Sequence, residues 1–144
     1  MVDREACIQR AAQLGGTYYA KYHNCAQASF GAIMDALRKA GIHLTSPEAE
    51  EVLFRGLSGL SGGHANLGCG NCGALTGAAM AMSLVAGVGP EEQSGKDKNR
   101  RWIAFDNVAK TVGARFKKEY YGITCKHVTW ERYGMWWNFW DPQT

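Results

Sequence analysis

Hydrophobic side chains recur at intervals of three and four residues along most of this chain. This spacing lines up side chains on one face of an α-helix, and no segment shows the sustained two-residue alternation that is typical of a strand. A chain of 144 residues amounts to about one domain. The sequence therefore predicts an all-α fold over residues 1–144, a single-domain bundle of about five helices with an aromatic-rich C-terminal tail.

The predicted helices start at residues that favour helix N-termini. Asn24 is followed three residues later by Gln27, which makes an Asn-x-x-Gln capping box, and Ser46 precedes a proline at the first helical position. A glycine-rich loop over residues 61–70 separates the third helix from the fourth. The helices are expected to cover about Asp3–Tyr19, to begin after Asn24, Ser46 and Asn71, and to end with the longest over about Ser94–Tyr120.

Residues 122–144 form the predicted tail, which begins at Gly122 and is expected to be irregular. Two interpretations of its aromatic residues remain open: a strap that closes the core, and an anchor in an interface, where Trp and Tyr are favoured. Both predict that deleting the tail damages the protein. The aromatic residues are Trp130, Tyr133, Trp136, Trp137, Phe139 and Trp140.

The formal net charge of +3 is concentrated in one late segment. Residues 96–132 hold 10 basic and 4 acidic side chains, whereas residues 1–95 hold 6 basic and 8 acidic ones. A net charge this small is not typical of an obligate nucleic-acid binder, so no nucleic-acid partner is expected. The basic segment is either a solvated helix face or a docking surface for an acidic partner.

The N-terminal residues predict a cytoplasmic protein, since residues 2–5 lack the basic flank and apolar run of a secretory signal. Residues 72–89 carry no charge, but their glycines and few bulky apolar side chains predict a buried helix rather than a membrane span. Structural disulfides are rare in a reducing compartment, and five cysteines is an odd number for a disulfide framework. Metal binding or thiol redox chemistry is therefore favoured.

Three of the five cysteines directly follow a residue that favours the N-cap of a helix. With Asn24 and Asn71 as caps, the sulfurs of Cys25 and Cys72 lie at the first helical position, where free backbone N–H groups and the positive end of the helix favour an anion. Such a position is expected to lower the pKa of a thiol and to stabilise thiolates as nucleophiles or as ligands of a metal or an iron–sulfur cluster. The three pairs are Asn24-Cys25, Asn71-Cys72 and Thr124-Cys125. Thr124 is either a third such cap or part of a loop.

Cys69 and Cys72 form a CxxC motif, which is compatible with several kinds of site. A thioredoxin-like motif would follow a strand, a haem attachment site would need a histidine where Gly73 stands, and a zinc site would need a second paired motif. One CxxC with the distant cysteines Cys25 and Cys125 is compatible with a four-thiolate cluster assembled from different helices.

The remaining cysteine, Cys7, lies inside the first predicted helix with no capping residue before it, which predicts packing in the core. Three histidines lie within five residues of a candidate cysteine. Each is either a ligand or proton-transfer group, or a surface residue without such a role. They are His23, His64 and His127.

The residues around the cysteines form distinctive strings, which are Asn24-Cys25-Ala26-Gln27-Ala28 and Cys72-Gly73-Ala74-Leu75-Thr76-Gly77, with Cys125 downstream. They resemble the C_GCAxxG_C_C family of redox-active proteins, and the resemblance covers essentially the whole chain. It implies a bacterial or archaeal helical protein in which four shared cysteines hold an iron–sulfur cluster. Related sequence occurs in split-Soret cytochromes, whose haem motifs are absent here.

Cys25, Cys72 and Cys125 match the first three family cysteines, but no cysteine follows Cys125 at the fourth position. Cys69 is the candidate for the missing thiolate. The expected function is that of a cytosolic electron-transfer protein with an iron–sulfur cluster on Cys25, Cys69, Cys72 and Cys125. A redox protein or a second copy of the chain would dock on the basic segment and the aromatic tail.

Two other functions remain open. In the first, the protein is an enzyme in which Cys69 and Cys72 work as a thiol–disulfide pair, or Cys72 acts as a nucleophile with a nearby histidine as base. In the second, the thiolates bind zinc or copper, because thiolates accept several soft metals.

Overall fold

The computed structural model describes residues 2–141, apart from the side chain of Lys98. Met1 and residues 142–144, the end of the predicted tail, lie outside the described residues. Residues 2–141 contain no β-strand beyond an isolated bridge between Asn71 and Thr124, which confirms the all-α, single-domain prediction. The helices are α1 (Arg4–Tyr22), α2 (Cys25–Lys39), α3 (Pro47–Gly56), α4 (Gly73–Ala86), α5 (Pro90–Ser94), α6 (Lys98–Val108), α7 (Ala114–Tyr120) and α8 (Cys125–Tyr133).

Two of the predicted helix starts are confirmed by their caps. At the start of α2, Asn24 Oδ1 accepts a hydrogen bond from the Gln27 N–H at 3.0 Å. At the start of α3, Ser46 Oγ accepts one from the Ala49 N–H at 3.3 Å. Each cap satisfies an N–H group that has no partner inside its own helix, so local sequence sets where both helices begin.

The core lies where α2 packs against α1 and α4. Phe30 and Leu57 are its largest fully buried side chains. Helices α2 and α4 approach so closely at Gly77 that an added Cβ there would clash with the carbonyl oxygen of Ala26. The glycine of α4 therefore allows the close contact between the two helices. Within residues 2–141, no helix is both long and apolar enough to cross a membrane.

The prediction that the longest helix begins at about Ser94 and continues to Tyr120 is wrong about where this helix begins. Asp97 caps a separate helix by accepting a hydrogen bond from the Asn99 N–H at 2.9 Å, so α6 begins at Lys98. The residues before it form the short α5, which begins at a proline. A capping aspartate and a helix-starting proline divide a segment whose apolar spacing alone is continuous.

A π-helical turn over Ala109–Gly113 interrupts the same segment between α6 and α7. We call α6, this turn and α7 the α6–α7 arm. The apolar side chains of this arm are only partly covered, because Trp102 is 65% exposed and Phe105 is 55% exposed. The arm therefore packs on α4 over part of its apolar face only.

The prediction of an irregular tail from Gly122 is wrong for its first part, which contains α8. Thr124 caps this helix by accepting a hydrogen bond from the His127 N–H at 3.2 Å. The helix ends at Gly134, whose φ of 68° is left-handed and therefore suits a glycine. A cap and a glycine stop are enough to define a helix of nine residues here.

Candidate functional site

Three cysteines from distant parts of the chain line one cavity of about 690 Å³. Cys25 is the first residue of α2, Cys72 is the N-cap of α4, and Cys125 is the first residue of α8. Cys72 and Cys125 are buried, at 7% and 5% exposure, and Cys25 is half-buried. The structure therefore brings together three of the four predicted site cysteines, each at the N-terminus of a different helix.

The start of α4 differs from the prediction that Asn71 caps it. Cys72 itself is the N-cap and makes no side-chain capping hydrogen bond, although the N–H groups of Ala74 and Leu75 favour its thiolate form. Asn71 instead pairs with Thr124 in the isolated bridge. Helix α4 therefore begins without a side-chain cap, in contrast to α2 and α8, which Asn24 and Thr124 cap.

Backbone hydrogen bonds hold the starts of α4 and α8 side by side. The Cys72 N–H donates to the Ile123 carbonyl at 2.8 Å, and the Cys125 N–H donates to the Gly70 carbonyl at 2.9 Å. Two short segments that precede two helices are therefore paired as in a sheet, which sets the two cysteines at a defined separation.

The third cysteine is held against this pair by α2 and the glycine-rich loop. The sulfur of Cys25 lies 3.2 Å from Ser61 Oγ, and the Cys25 N–H donates to the same hydroxyl at 3.3 Å. On its other side is Gly73, where an added Cβ would clash with the Cys25 sulfur. The glycine after Cys72 is therefore what allows α4 to begin directly against Cys25.

Burial raises the pKa of both buried thiols. The pKa of Cys72 lies above its ordinary value because desolvation outweighs the two N–H groups that favour its thiolate. Desolvation, together with the charges of Cys72 and Cys25, raises the pKa of Cys125 to about 11. The prediction of a lowered pKa is wrong for these two thiols, since the loss of water disfavours the thiolate more than the helix end favours it.

Cys69 is exposed and is not among the residues that line the cysteine cavity. Cys7 is half-buried on α1, whose described residues include no buried one, so the prediction that Cys7 packs in the core is wrong. Its helix contributes partly exposed side chains to the contact with α2.

Among the three candidate histidines, His23 lines the cavity. His127 lies outside its lining, and its Nδ1 is 2.8 Å from Thr124 Oγ1, so it contacts the cap of α8. His64 is exposed in the glycine-rich loop, with a left-handed φ of 64°. In residues 2–141 no three His, Cys, Asp or Glu side chains lie close enough together to hold one metal ion.

Sequence reasoning did not assign several side chains that line the cavity. Tyr19 comes from the C-terminal part of α1. Burial raises the pKa of its hydroxyl, and the charges of Tyr133 and the three cavity cysteines raise this pKa further. The aromatic content of the tail is the signal that could have found the others. They are Tyr133, Trp137 and Phe139.

The tail also covers the glycine-rich loop. The indole of Trp136 packs against Gly68, where an added Cβ would lie 2.6 Å from Trp136 Nε1. The ammonium of Lys126 lies over the same indole, 5.5 Å from the ring centroid. The interpretation of the tail as a strap therefore agrees with where these rings lie.

Comparison with known proteins gives one family. The model described as "Putative redox-active protein (C_GCAxxG_C_C)" matches residues 23–139, which include all three cavity cysteines and Cys69. No curated protein and no solved structure gives a significant match. Since the family model covers most of the chain and every helix that contributes a cysteine to the cavity, the chain belongs to the C_GCAxxG_C_C family, which is described as redox-active.

Proposed function

We propose that this protein is a cytoplasmic electron-transfer protein that holds an iron–sulfur cluster on Cys25, Cys72 and Cys125, with Cys69 as the fourth thiolate. The observation that carries the proposal is the convergence of three helix N-termini, each with a cysteine, on one cavity. A cluster with its ligand thiolates is negatively charged, and the positive ends of three helices favour that charge.

The donor set fits such a cluster. Cysteine thiolates are its usual protein ligands, and a cavity of about 690 Å³ has room for a group of several metal and sulfide atoms. A single zinc ion, in contrast, needs sulfurs at about 2.3 Å from one point, hence close to one another. When bound, an iron–sulfur cluster supplies a one-electron redox centre.

The chain's own groups would set the properties of that centre. The N–H groups of Ala74 and Leu75 favour the thiolate form of Cys72, and Ser61 lies at hydrogen-bond distance from the Cys25 sulfur. Hydrogen bonds to ligand sulfurs are one of the features that set a reduction potential. The aromatic side chains of the tail would limit the access of water and oxygen to the cavity.

Anaerobic purification tests the proposal directly. The protein is expected to be coloured and to contain iron and acid-labile sulfide. Cys25→Ser, Cys72→Ser and Cys125→Ser should each lose most of the iron, whereas Cys7→Ser, outside the cavity, should keep it. Colourless protein without metal from anaerobic cells would contradict the proposal, and zinc or copper in place of iron would support the soft-metal alternative.

The role of Cys69 is tested separately. Cys69 is exposed and lies three residues before Cys72, next to Gly70, whose carbonyl accepts the hydrogen bond from the Cys125 N–H. Cys69→Ser is expected to lower the iron content and to make the remaining cluster labile. Unchanged iron and an unchanged spectrum would assign the cluster to three cysteines alone.

The thiol–disulfide alternative has less support. A nucleophilic thiol is activated by a lowered pKa, whereas burial raises the pKa of Cys72. Elemental analysis separates this alternative from the proposal, because thiol–disulfide exchange requires no metal.

The proposal includes a protein partner, either a redox protein or a second copy of the chain. Exposed aromatic side chains accompany the basic segment and the tail: Trp102 is 65% exposed, Trp130 is 61% exposed and Trp140 is 68% exposed. Large exposed aromatics beside positive charge are typical of docking surfaces. Sedimentation at low and high salt should show whether the chain self-associates, and Trp102→Ser should weaken any association.

A further inference from the structure

A second cavity of about 690 Å³ lies between α4 and the α6–α7 arm. It shares no lining residue with the cysteine cavity, and we call it the arm cleft. Its lining is mostly apolar, so water in it makes few hydrogen bonds and is readily displaced by an apolar ligand. The apolar side chains include Leu75, Ala79, Ala104, Phe105, Val108 and Ile123.

The π-helical turn shapes the arm cleft. Its first and last residues, Ala109 and Gly113, both line the cleft. Between them, the Thr111 hydroxyl donates to the Asn107 carbonyl of its own arm and lies 3.3 Å from the sulfur of Met82, so the arm contacts α4 at this level. Single π turns inside α-helices are frequent at functional sites, because they displace the backbone locally.

Five of the described residues that line the arm cleft are polar, and two of them, Thr76 and Ser83, already donate their hydroxyls to backbone carbonyls four residues earlier. Lys117 is the single charged side chain among its described lining residues, and it is exposed at the edge of the cleft. The carboxamides of Asn71 and Gln93 also line the cleft. These groups can donate hydrogen bonds to oxygen atoms at the ends of a ligand, whereas a sugar or a polyphosphate would need many more partners.

A thin wall separates the arm cleft from the cysteine cavity. Asn71 lines the cleft and directly precedes Cys72. Ile123 also lines the cleft, and its carbonyl accepts the hydrogen bond from the Cys72 N–H. A molecule in the arm cleft would therefore lie one layer of residues away from the thiols.

From this combination we infer that the arm cleft binds a quinone. A quinone has an apolar body with carbonyl oxygens at opposite ends, which matches an apolar cleft with a cationic donor at its edge. The Lys117 ammonium would donate a hydrogen bond to one carbonyl oxygen. The choice of a redox-active ligand rests on the proposed function, but the binding of the oxidised quinone does not require the cluster.

Calorimetric titration of the full chain with ubiquinone-1 tests this inference. The ring of this quinone has no open carbon for thiol addition, so the cysteines do not interfere. Ala109→Phe should abolish binding by filling the cleft, whereas Ala114→Phe, an exposed alanine of the same arm outside the cleft, should bind normally. Ala104→Phe fills the cleft from α6 and keeps the test decisive should Ala109→Phe not fold.

Lys117 has a matched control in its neighbour Lys118, which is exposed and does not line the arm cleft. Lys117→Gln should weaken the binding of ubiquinone-1 by about tenfold, and Lys118→Gln should leave it unchanged. Equal effects of the two substitutions would show that only general positive charge matters, which would overturn the assigned hydrogen bond.

Two further outcomes separate this inference from the proposed function. A protein that contains the cluster but binds no ubiquinone-1 would overturn the quinone site alone. Cys72→Ser, expected to lack the cluster, should still bind ubiquinone-1. If dodecanoate, an apolar anion without redox chemistry, binds as tightly as ubiquinone-1, the cleft is a general amphiphile site and the quinone assignment is wrong.

Discussion

The absence of a side chain at Gly73 allows Cys72 to lie close to Cys25. Gly73 lies against the Cys25 sulfur, and it follows Cys72 in sequence. A larger residue here would push α4 away from α2, because the neighbouring atoms include the backbone of Ala26 and Leu60. One backbone position thus links the glycine content of the chain to the geometry of its thiols.

Gly73→Ala is therefore expected to destabilise the protein by about 1–3 kcal/mol and to lower its iron content. Its added Cβ would clash with the Cys25 sulfur. This Cβ would also lie 3.0 Å from the Ala26 nitrogen and 3.1 Å from the Leu60 carbonyl oxygen. The matched control is Gly16→Ala in α1, where no atom lies within 4 Å. This control should gain about 0.5–1 kcal/mol from better helix propensity, and urea unfolding measures both.

A second prediction at the residue scale concerns Tyr18, whose hydroxyl donates a hydrogen bond to Asp35. This hydrogen bond, with desolvation and the carboxylate charge, raises the pKa of Tyr18 from 10.0 to about 12. A raised pKa means that the folded state holds the proton more tightly, so the stabilisation is complete below pH 10 and is lost as the pH rises towards 12.

Tyr18→Phe should accordingly lower stability below pH 10, and the difference from the unmodified protein should narrow between pH 10 and 12. Urea unfolding at several pH values measures this difference. Tyr121→Phe serves as the control for the loss of a tyrosine hydroxyl, because Tyr121 is 79% exposed and its hydroxyl should contribute little to stability. A constant difference for Tyr18→Phe across this range would contradict the prediction.

At the scale of helices, the caps decide where the thiols lie. Asn24 and Thr124 accept hydrogen bonds from N–H groups three residues later, which places Cys25 and Cys125 at the first helical positions. Cys72 is the N-cap residue of α4, where no side chain makes a capping hydrogen bond. All three cysteines therefore lie at helix N-termini, two at the first helical position and one at the N-cap.

Thr124→Ala should remove the cap of α8 and lower stability by about 1 kcal/mol. The loss should also weaken iron retention, because Cys125 is the first residue of that helix. Thr17→Ala is the control: the Thr17 hydroxyl donates to the Gln13 carbonyl inside α1 and caps nothing, so its loss should change stability little. Thermal unfolding and iron analysis check both variants, and equal losses would argue against a specific role of the cap.

At the scale of the whole molecule, the part of the tail that follows α8 packs on the glycine-rich loop and lines the cysteine cavity. Trp136 packs on Gly68, and Trp137 and Phe139 line the cavity. The Trp136 indole N–H is buried without a hydrogen-bond partner among the described residues, so its packing rather than its polarity holds it there. The tail thereby joins segments that are about 70 residues apart in sequence.

Trp136→Ala is expected to lower stability by about 2 kcal/mol, less than for a fully buried tryptophan because Trp136 is half-buried. A bound cluster should also bleach faster in air, since the loop beside the cavity loses its cover. Trp140→Ala, which removes a side chain that is 68% exposed, should change neither stability nor bleaching. If both variants bleach at the same rate, the tail does not protect the cavity.

The sequence by itself determined the helical class, the caps at Asn24 and Ser46, and the cysteines at helix starts. These features depend on residues within one or two turns of each other, which a linear pattern records. The predictions were wrong for the cap of α4, for the start of α6 and for the residues after Gly122, which form α8. At α6 and α8, a capping side chain rather than the apolar spacing sets where the helix begins.

Only the tertiary structure decided which cysteines meet. Cys25, Cys72 and Cys125 share a cavity because α2, α4 and α8 begin against one another, while Cys69, only three residues from Cys72, lies exposed on the loop. Burial likewise reversed the expected direction of two thiol pKa values, since desolvation depends on long-range packing that no local motif encodes.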